Sequence, residues 1–225
     1  MTISVTSLGA GTNNVGTNTL GSVTVPAGAL IVVRVVERNA TGAVGTISDG
    51  TNTYTVAASD LLNGSAALGS VSLFYVKAAS ALSGATITYS KAVSGSKSAL
   101  TAFYATGIDT ANPLRNTSSF YISSDTNPSS NVTDGIGDLV VGHDGCEGTG
   151  GTWGNMAGWT TDTAEVKTGT ATSDARVNGG YIVSGSGTSR TWSPTYSTGG
   201  VGTQLLASFK AGAAQAPGNF LPYFQ

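Results

Sequence analysis

Cysteine and charge are both scarce in this chain of 225 residues. Cys146 is the single cysteine, which excludes an internal disulfide framework and a zinc site built from several cysteines. Charged residues make up only 10% of the chain, against roughly a quarter in ordinary soluble domains. The net charge is −2 and the Lys and Arg residues are scattered singly. We therefore expect no basic surface for phosphate and no binding to nucleic acid.

Long apolar runs are also missing. No stretch approaches the ~20 apolar residues of a membrane helix, so we expect no membrane insertion. The start, Met1 to Val5, has no basic segment followed by an apolar run, and it therefore shows no export signal of the Sec type.

Thr, Ser and 32 Gly residues take the place of the charged residues. Thr is β-branched and favours strands, Ser competes with helical hydrogen bonds, and Gly serves turns, so this composition disfavours helices. Disorder is the alternative for a Gly- and Ser-rich chain. Recurrent aliphatic runs and a mean hydropathy of +0.10 argue for a folded protein instead.

Strand-like segments recur between clusters of Gly, Asn, Asp and Ser. The clearest, Leu30 to Glu37, is nearly continuous in apolar character, which predicts a central strand. Asp49-Gly50 lies between two short strand-like runs and predicts a hairpin. Three further segments predict strands: Val71 to Val76, Ala85 to Tyr89 and Leu100 to Tyr104.

The second half of the chain repeats the plan of the first. Pro26 to Val33 is echoed by Gly135 to Gly142, and Leu100 to Phe103 is echoed by Leu205 to Phe209. Two similar sets of about four strands predict an all-β, jelly-roll-like antiparallel β-sandwich of about eight strands. Two separate domains are the weaker alternative, because each half would bury only a small core.

Domain boundaries follow from these patterns. We place an N-terminal segment at 1–22, one β-sandwich domain at 23–210, and a linker with an aromatic tail at 211–225. Within the sandwich, 106–134 reads as a crossing loop with one edge strand near Ser119 to Ser123.

The tail carries a dense apolar group. Burying such side chains is worth roughly 1.5–3 kcal/mol each, so we expect them to dock onto this chain or a neighbour. The predicted anchor residues are Phe220, Leu221, Tyr223 and Phe224.

Reactive side chains concentrate in one place, His143 to Glu147. With one His and one Cys in the chain, zinc would need carboxylates to complete its shell, and a thiolate would need a base placed by the fold. No Gly-x-Ser-x-Gly elbow is present for a hydrolase. We interpret the segment as the polar end of a strand, and we expect no enzymatic activity, no metal and no cofactor. Asp134 to Asp138 lacks the ligand spacing of a calcium loop and predicts a turn before a strand.

Tryptophan offers the other candidate contact. Exposed Trp faces can stack on the apolar C–H groups of sugar rings. Trp159 and Trp192 are predicted to fill the sandwich, whereas Trp153, in a Gly-rich loop, is the candidate glycan contact.

A set of motifs in shared order resembles the Ig-like or jelly-roll modules of phage virion proteins and bacterial surface proteins, over Val23 to Lys210. The motifs are Gly28–Val33, Ser48–Tyr54, Phe74–Val76, Phe103–Leu114, Gly137–Gly142, Ala157–Thr160 and Leu205–Lys210. The resemblance implies a display, decoration or adhesion role and carries no catalytic residues.

Together these observations predict a non-catalytic virion structural protein: a capsid decoration, head-fibre or tail-associated module. Its partners would be symmetric copies of itself and other virion proteins. A phage protein released by lysis needs no export signal, which fits the start of the chain, and a removed signal or a secretion route other than Sec would fit it too. The alternative is a secreted carbohydrate-binding or adhesin module at the cell surface, with a surface glycan as partner.

Overall fold

Antiparallel β-strands dominate the computed structural model, as the composition predicts. The model describes residues 2–39, 41–66, 68–125, 129–147, 153–154, 156–161, 165–169, 174–196 and 200–213. Within these ranges the strands are β1 (Ser4–Asn13), β2 (Asn18–Val25), β3 (Leu30–Arg38), β4 (Thr46–Ser48), β5 (Thr55–Leu61), β6 (Ser70–Lys77), β7 (Leu82–Ser90), β8 (Lys97–Thr106), β9 (Leu114–Asp125), β10 (Ser130–Thr133), β11 (Leu139–Glu147), β12 (Val166–Lys167), β13 (Ala175–Val183), β14 (Ser189–Trp192) and β15 (Gly200–Phe209). A short 3-10 helix, Leu62–Gly64, follows β5. None of the helical structure in these ranges is long and apolar enough to span a membrane.

The first half of the chain forms a jelly roll of its own. Its strands make a five-stranded sheet in the order β1-β8-β3-β6-β5 and a three-stranded sheet in the order β2-β7-β4. The first strand pairs with the eighth, the second with the seventh and the third with the sixth. A bridge between Ser48 and Thr53 joins β4 to the residues before β5. This nested pairing is that of an eight-stranded double Greek key.

The second half repeats this topology. Its five-stranded sheet has the order β12-β13-β11-β15-β9, and β10 pairs with β14 in a second sheet. Strands β9, β10, β11, β12, β13, β14 and β15 thus take the places of β1, β2, β3, β5, β6, β7 and β8. A counterpart of β4 is absent from the described residues of this half.

The predicted all-β, antiparallel sandwich class is confirmed, with more strands than the eight expected. The apolar central strands follow from the sequence, whereas the edge strand β1 does not. In β1 no residue is fully buried, and its Ser, Thr and Gly residues lack the apolar alternation that marks a half-buried strand. Each half therefore carries its own jelly-roll pairing, and the two halves do not share one eight-stranded set.

The sheets stack as four layers around three cores. The two five-stranded sheets face each other across the largest core, which draws Val32, Phe103, Val141 and Phe209, among others, from both halves. The three-stranded sheet covers the outer face of the first large sheet, and the β10–β14 pair covers that of the second. Because side chains alternate along a strand, β3 sends Val32 into the central core and Val33 into the outer one. Its nearly continuous apolar sequence follows from this two-sided burial.

The chain ends bear on the predicted boundaries. The segment 1–22 contains β1 and the start of β2, and β1 pairs with β8 along its length. At the other end, Ala211 forms an isolated bridge with Ile108. Ala213 is the last described residue, so the predicted anchor residues of the tail lie outside the described residues.

Candidate functional site

The reactive segment His143 to Glu147 lies on β11, a central strand of the second large sheet. Alternation along the strand directs His143 toward the first half and Asp144 toward the β10–β14 pair. Both side chains have 0% exposure, and Cys146 has 1%.

His143 is enclosed between the two large sheets. Its Nε2 lies 3.2 Å from the carbonyl oxygen of Val35, and its Nδ1 lies 3.5 Å from that of Asn178. Burial, together with the positive charge of Arg34, lowers the pKa of His143 to about 3. The imidazole is therefore neutral, and it carries one N–H for two carbonyl neighbours.

Arg34 occupies the place on β3 that His143 occupies on β11, since Leu30 and Leu139 hold equivalent positions in the two pairing schemes. Its side chain is 1% exposed. The Nη2 group donates a hydrogen bond of 3.0 Å to the carbonyl oxygen of Gly180, and the guanidinium lies 5.1 Å from the centre of the Phe103 ring. The two equivalent residues thus reach across the central core into opposite halves.

Asp144 is the hub of a second polar group on the other face of β11. Its carboxylate accepts hydrogen bonds from Trp192 Nε1 at 2.8 Å, Gln204 Nε2 at 2.9 Å and Asn178 Nδ2 at 3.4 Å. Burial raises the pKa of Asp144 to about 7, although these three donors act in the opposite direction. Three donors on one buried carboxylate fix the Trp192 ring in the outer core.

Glycines make room for both large side chains. A Cβ at Gly142 would lie 2.5 Å from the Trp192 ring, and one at Gly179 would lie 2.6 Å from Arg34 Nε. Gly142 pairs directly with Gly180 across the sheet, and a Cβ at Gly180 would also crowd Trp192, at 3.1 Å. The glycines of β11 and β13 therefore provide the space in which the polar groups pack.

A second buried acid stands at the far end of β3. Glu37, with 0% exposure, accepts hydrogen bonds from Ser96 Oγ at 2.7 Å and from two backbone amides, Ala92 at 3.0 Å and Val93 at 3.1 Å. The Tyr89 hydroxyl donates a fourth bond, and burial, with the charge of Glu37, raises the pKa of Tyr89 above its ordinary value. This acid organises the turn between β7 and β8.

In the sequence, Arg34 and Glu37 are only the polar members of an apolar strand. The signal was nonetheless present, because a charged residue inside a strand buried on both faces must be paired or hydrogen-bonded. As arranged, these enclosed groups join layers of the fold, and none of them meets solvent where a substrate would bind.

The acidic loop before β11 is a turn held by ion pairs. Asp138 accepts the Gly135 amide at 2.7 Å and pairs with Arg115 at 2.5 Å, while Asp134 pairs with Arg190 at 2.9 Å. The predicted turn before a strand is present. Across the described ranges, no group of three or more His, Cys, Asp or Glu side chains is placed to hold a metal ion.

Trp153 lies beside Tyr196 and is half-buried. The two residues form an isolated bridge, and their ring centroids are 4.6 Å apart. The indole Nε1 is enclosed, with no hydrogen-bond partner among the described residues. Trp192 is 2% exposed and contacts Trp159 at 4.8 Å between ring centroids, so these two fill the outer core as predicted.

A cleft of about 520 Å³ opens at the end of the first large sheet. It is lined by small side chains and backbone, and the last residue described, Ala213, is part of its wall. The one acid in its lining, Asp109, accepts hydrogen bonds from the amides of Ala111 and Asn112, which lower its pKa. Among the described residues of the lining, no His, Lys or Cys side chain is present.

The fold and these sites define an all-β protein of two jelly-roll repeats. No family model matches the chain, and no curated protein or solved structure matches it either. The resemblance to phage and surface modules stays a prediction.

Proposed function

We propose that this chain is a non-catalytic structural protein of a phage virion, which acts through contacts with its own copies and with other virion proteins. The observation that carries the proposal is the enclosure of the reactive side chains. The only His and the only Cys of the chain are at most 1% exposed. The burial of these two side chains supports a role in contact between proteins.

The low charge supports assembly. Charged residues make up 10% of the chain and the net charge is −2, so copies packed side by side repel one another little. Thr and Ser side chains on the surface supply hydrogen bonds to a neighbour. The tail residues Phe220, Leu221, Tyr223 and Phe224 act as the anchor to a neighbouring subunit or another virion protein.

The tail can be tested by light scattering after size-exclusion chromatography. The comparison is between the full chain and a variant in which the four anchor residues are replaced by Ser. Asn219→Ser with Gln225→Ser is the matched control, because it alters the same segment without removing apolar surface. We expect the mass of the assembly to fall in the anchor variant and to stay unchanged in the control. An unchanged mass in the anchor variant would remove the tail from the proposal.

The virion assignment has its own test. Peptides of this chain should be found by mass spectrometry in phage particles purified from the source host, in constant ratio to the major capsid protein through a density gradient. Recovery only in the unassembled fraction of the lysate would contradict it.

Carbohydrate binding remains the second candidate. The pairing of Trp153 with Tyr196 supports it, because adjacent aromatic rings can form a platform for a sugar. The enclosed Nε1 leaves less of the indole open than the sequence predicts. A glycan array separates the candidates: binding that is lost in Trp153→Ala and retained in Val15→Ala would favour the second.

A further inference from the structure

The edge strand β9 is the most open flank of the two large sheets. It lies at the end of the second sheet, and among the described residues it pairs on one side only, with β15. Residues 115–117 and 119–121 are exposed. A one-sided strand leaves a row of backbone N–H and C=O groups without partners in the sheet, and such a row can accept another strand.

The other edges of these sheets are blunted. β1 is interrupted by an irregularity between Ser7 and Gly9, and β5 by one between Val56 and Ala58. β12 is only two residues long. In β9, the irregularities fall at its ends, and 116–123 pairs in unbroken register. Natural edges are protected by bulges, short length, Pro or charge, and 116–123 has none of these.

Two large aromatic side chains stand on this open strand. Phe120 is 46% exposed and Tyr121 is 45% exposed. As neighbours in the strand they point to opposite faces of the sheet. An added strand would therefore gain an aromatic contact on each face, in addition to the backbone hydrogen bonds.

We propose that β9 pairs antiparallel with β9 of a second copy of this chain, centred on Phe120, and so joins two large sheets into one ten-stranded sheet. The composition of the strand favours this occupant. Its two charged residues, Arg115 and Asp125, lie at its opposite ends, outside the evenly paired run 116–123. In an antiparallel self-pairing centred on Phe120, this run faces its own copy with no charge opposite a like charge, and the two Phe120 rings share a face. Aromatic cross-strand pairs are stabilising, whereas like charges directly opposite each other are destabilising.

The self-pairing of β9 rests on the proposed function, because it names the surface through which copies of the chain meet. This surface is separate from the aromatic tail.

Cysteine cross-linking tests the register of the pairing between the two β9 strands. Residues directly opposite in an antiparallel pair have Cα atoms about 4.5–5.5 Å apart, within the reach of a disulfide. Phe120→Cys should therefore form a covalent dimer under mild oxidation.

Thr117→Cys is the matched control, because it is an exposed position on the same strand. Its two copies would be offset by six residues, or roughly 20 Å, so its cross-linking should be at least about tenfold slower. The native Cys146 is buried and gives the background. Maleimide labelling of the monomer shows that both introduced thiols are accessible.

A charge at the centre gives a second readout. Phe120→Lys places two ammonium groups opposite each other. In light scattering, the mass of the assembled full chain should therefore fall toward half in this variant. Ile136→Lys, at a 77% exposed position off the strand, should leave the mass unchanged.

Equal cross-linking of both cysteine variants, or none in Phe120→Cys, would overturn the pairing. If Phe120→Cys fails to cross-link while the unmodified chain still assembles, the pairing is wrong and the assembly role stands. Cross-linking without any sign of the chain in phage particles would leave the pairing in place and sink the virion assignment. An extended peptide from another protein, or the aromatic tail of this chain, would appear as a monomer whose β9 amides are protected from exchange, and this too would overturn the self-pairing.

Discussion

The two buried groups on β11 should make opposite contributions to the pH dependence of stability. His143 titrates at about 3 in the folded protein and Asp144 at about 7, whereas the ordinary values are 6.5 and 3.8. The groups that face them are Arg34 from β3, and Asn178, Trp192 and Gln204 from the neighbouring strands of the second half. Replacing either titrating residue by a neutral analogue should expose the contribution of the other.

Whether each group stabilises or destabilises the fold on acidification depends on which state, folded or unfolded, binds the proton. Between pH 6.5 and 3 the unfolded chain protonates His143 and the folded chain does not, so acidification through that window destabilises the fold, by about 5 kcal/mol in all. Between pH 3.8 and 7 the folded chain holds a proton on Asp144 that the unfolded chain releases. Acidification through that window therefore stabilises the fold, by about 4 kcal/mol in all. In the unaltered protein the two contributions largely cancel between about pH 4 and 6.5.

Urea denaturation followed by tryptophan fluorescence, at intervals from pH 4 to 8, measures the effect. From pH 7 to 4, His143→Gln should gain about 3 kcal/mol of unfolding free energy relative to its own value at pH 7, and Asp144→Asn should lose about 3 kcal/mol. Comparing each variant with itself removes the constant loss caused by the substitution. The surface acids contribute alike to all three proteins. Parallel profiles for His143→Gln and the unaltered chain would refute the reasoning.

Two further predictions concern packing and the buried acid of β3. Gly142→Ala places a methyl group 2.5 Å from the Trp192 ring and should lower the free energy of unfolding in urea by about 1–3 kcal/mol. Gly185→Ala is the control, since nothing lies within 4 Å of the new Cβ, and it should be near neutral. Equal losses of stability in the two variants would contradict the packing argument. Glu37→Ala leaves four neutral donors without their acceptor and should cost about 1–3 kcal/mol for each donor that stays buried. Hydrogen exchange at the amides of residues 92 and 93 should become faster, and unchanged exchange there would show that Glu37 does not hold the turn.

The central strands could be predicted from sequence because burial on both faces leaves a nearly continuous apolar run, as in Leu30 to Glu37. The duplication was visible for the same reason, since β3 and β11 keep that run in both halves. Edge strands such as β1 escaped prediction. Their residues are mostly Ser, Thr and Gly, and they are held by backbone pairing to β8 and by little side-chain burial.

The polar groups of the core could be predicted only in part. His143 and Asp144 were evident as reactive residues, but their partners were not. Asp144 meets Trp192 and Gln204 from strands 48 and 60 residues away in sequence, and those contacts depend on the register of β11 with its neighbours. The glycines that admit Trp192 carry no local signal of their own, because Gly is common throughout the chain.

Sedimentation equilibrium of the full chain over a wide concentration range tests most directly whether this protein works by contact between copies. A single chain has a mass of 22.4 kDa. We expect multiples of that mass, with the fraction of the smallest species falling as the concentration rises. A mass of one chain at every concentration would contradict it.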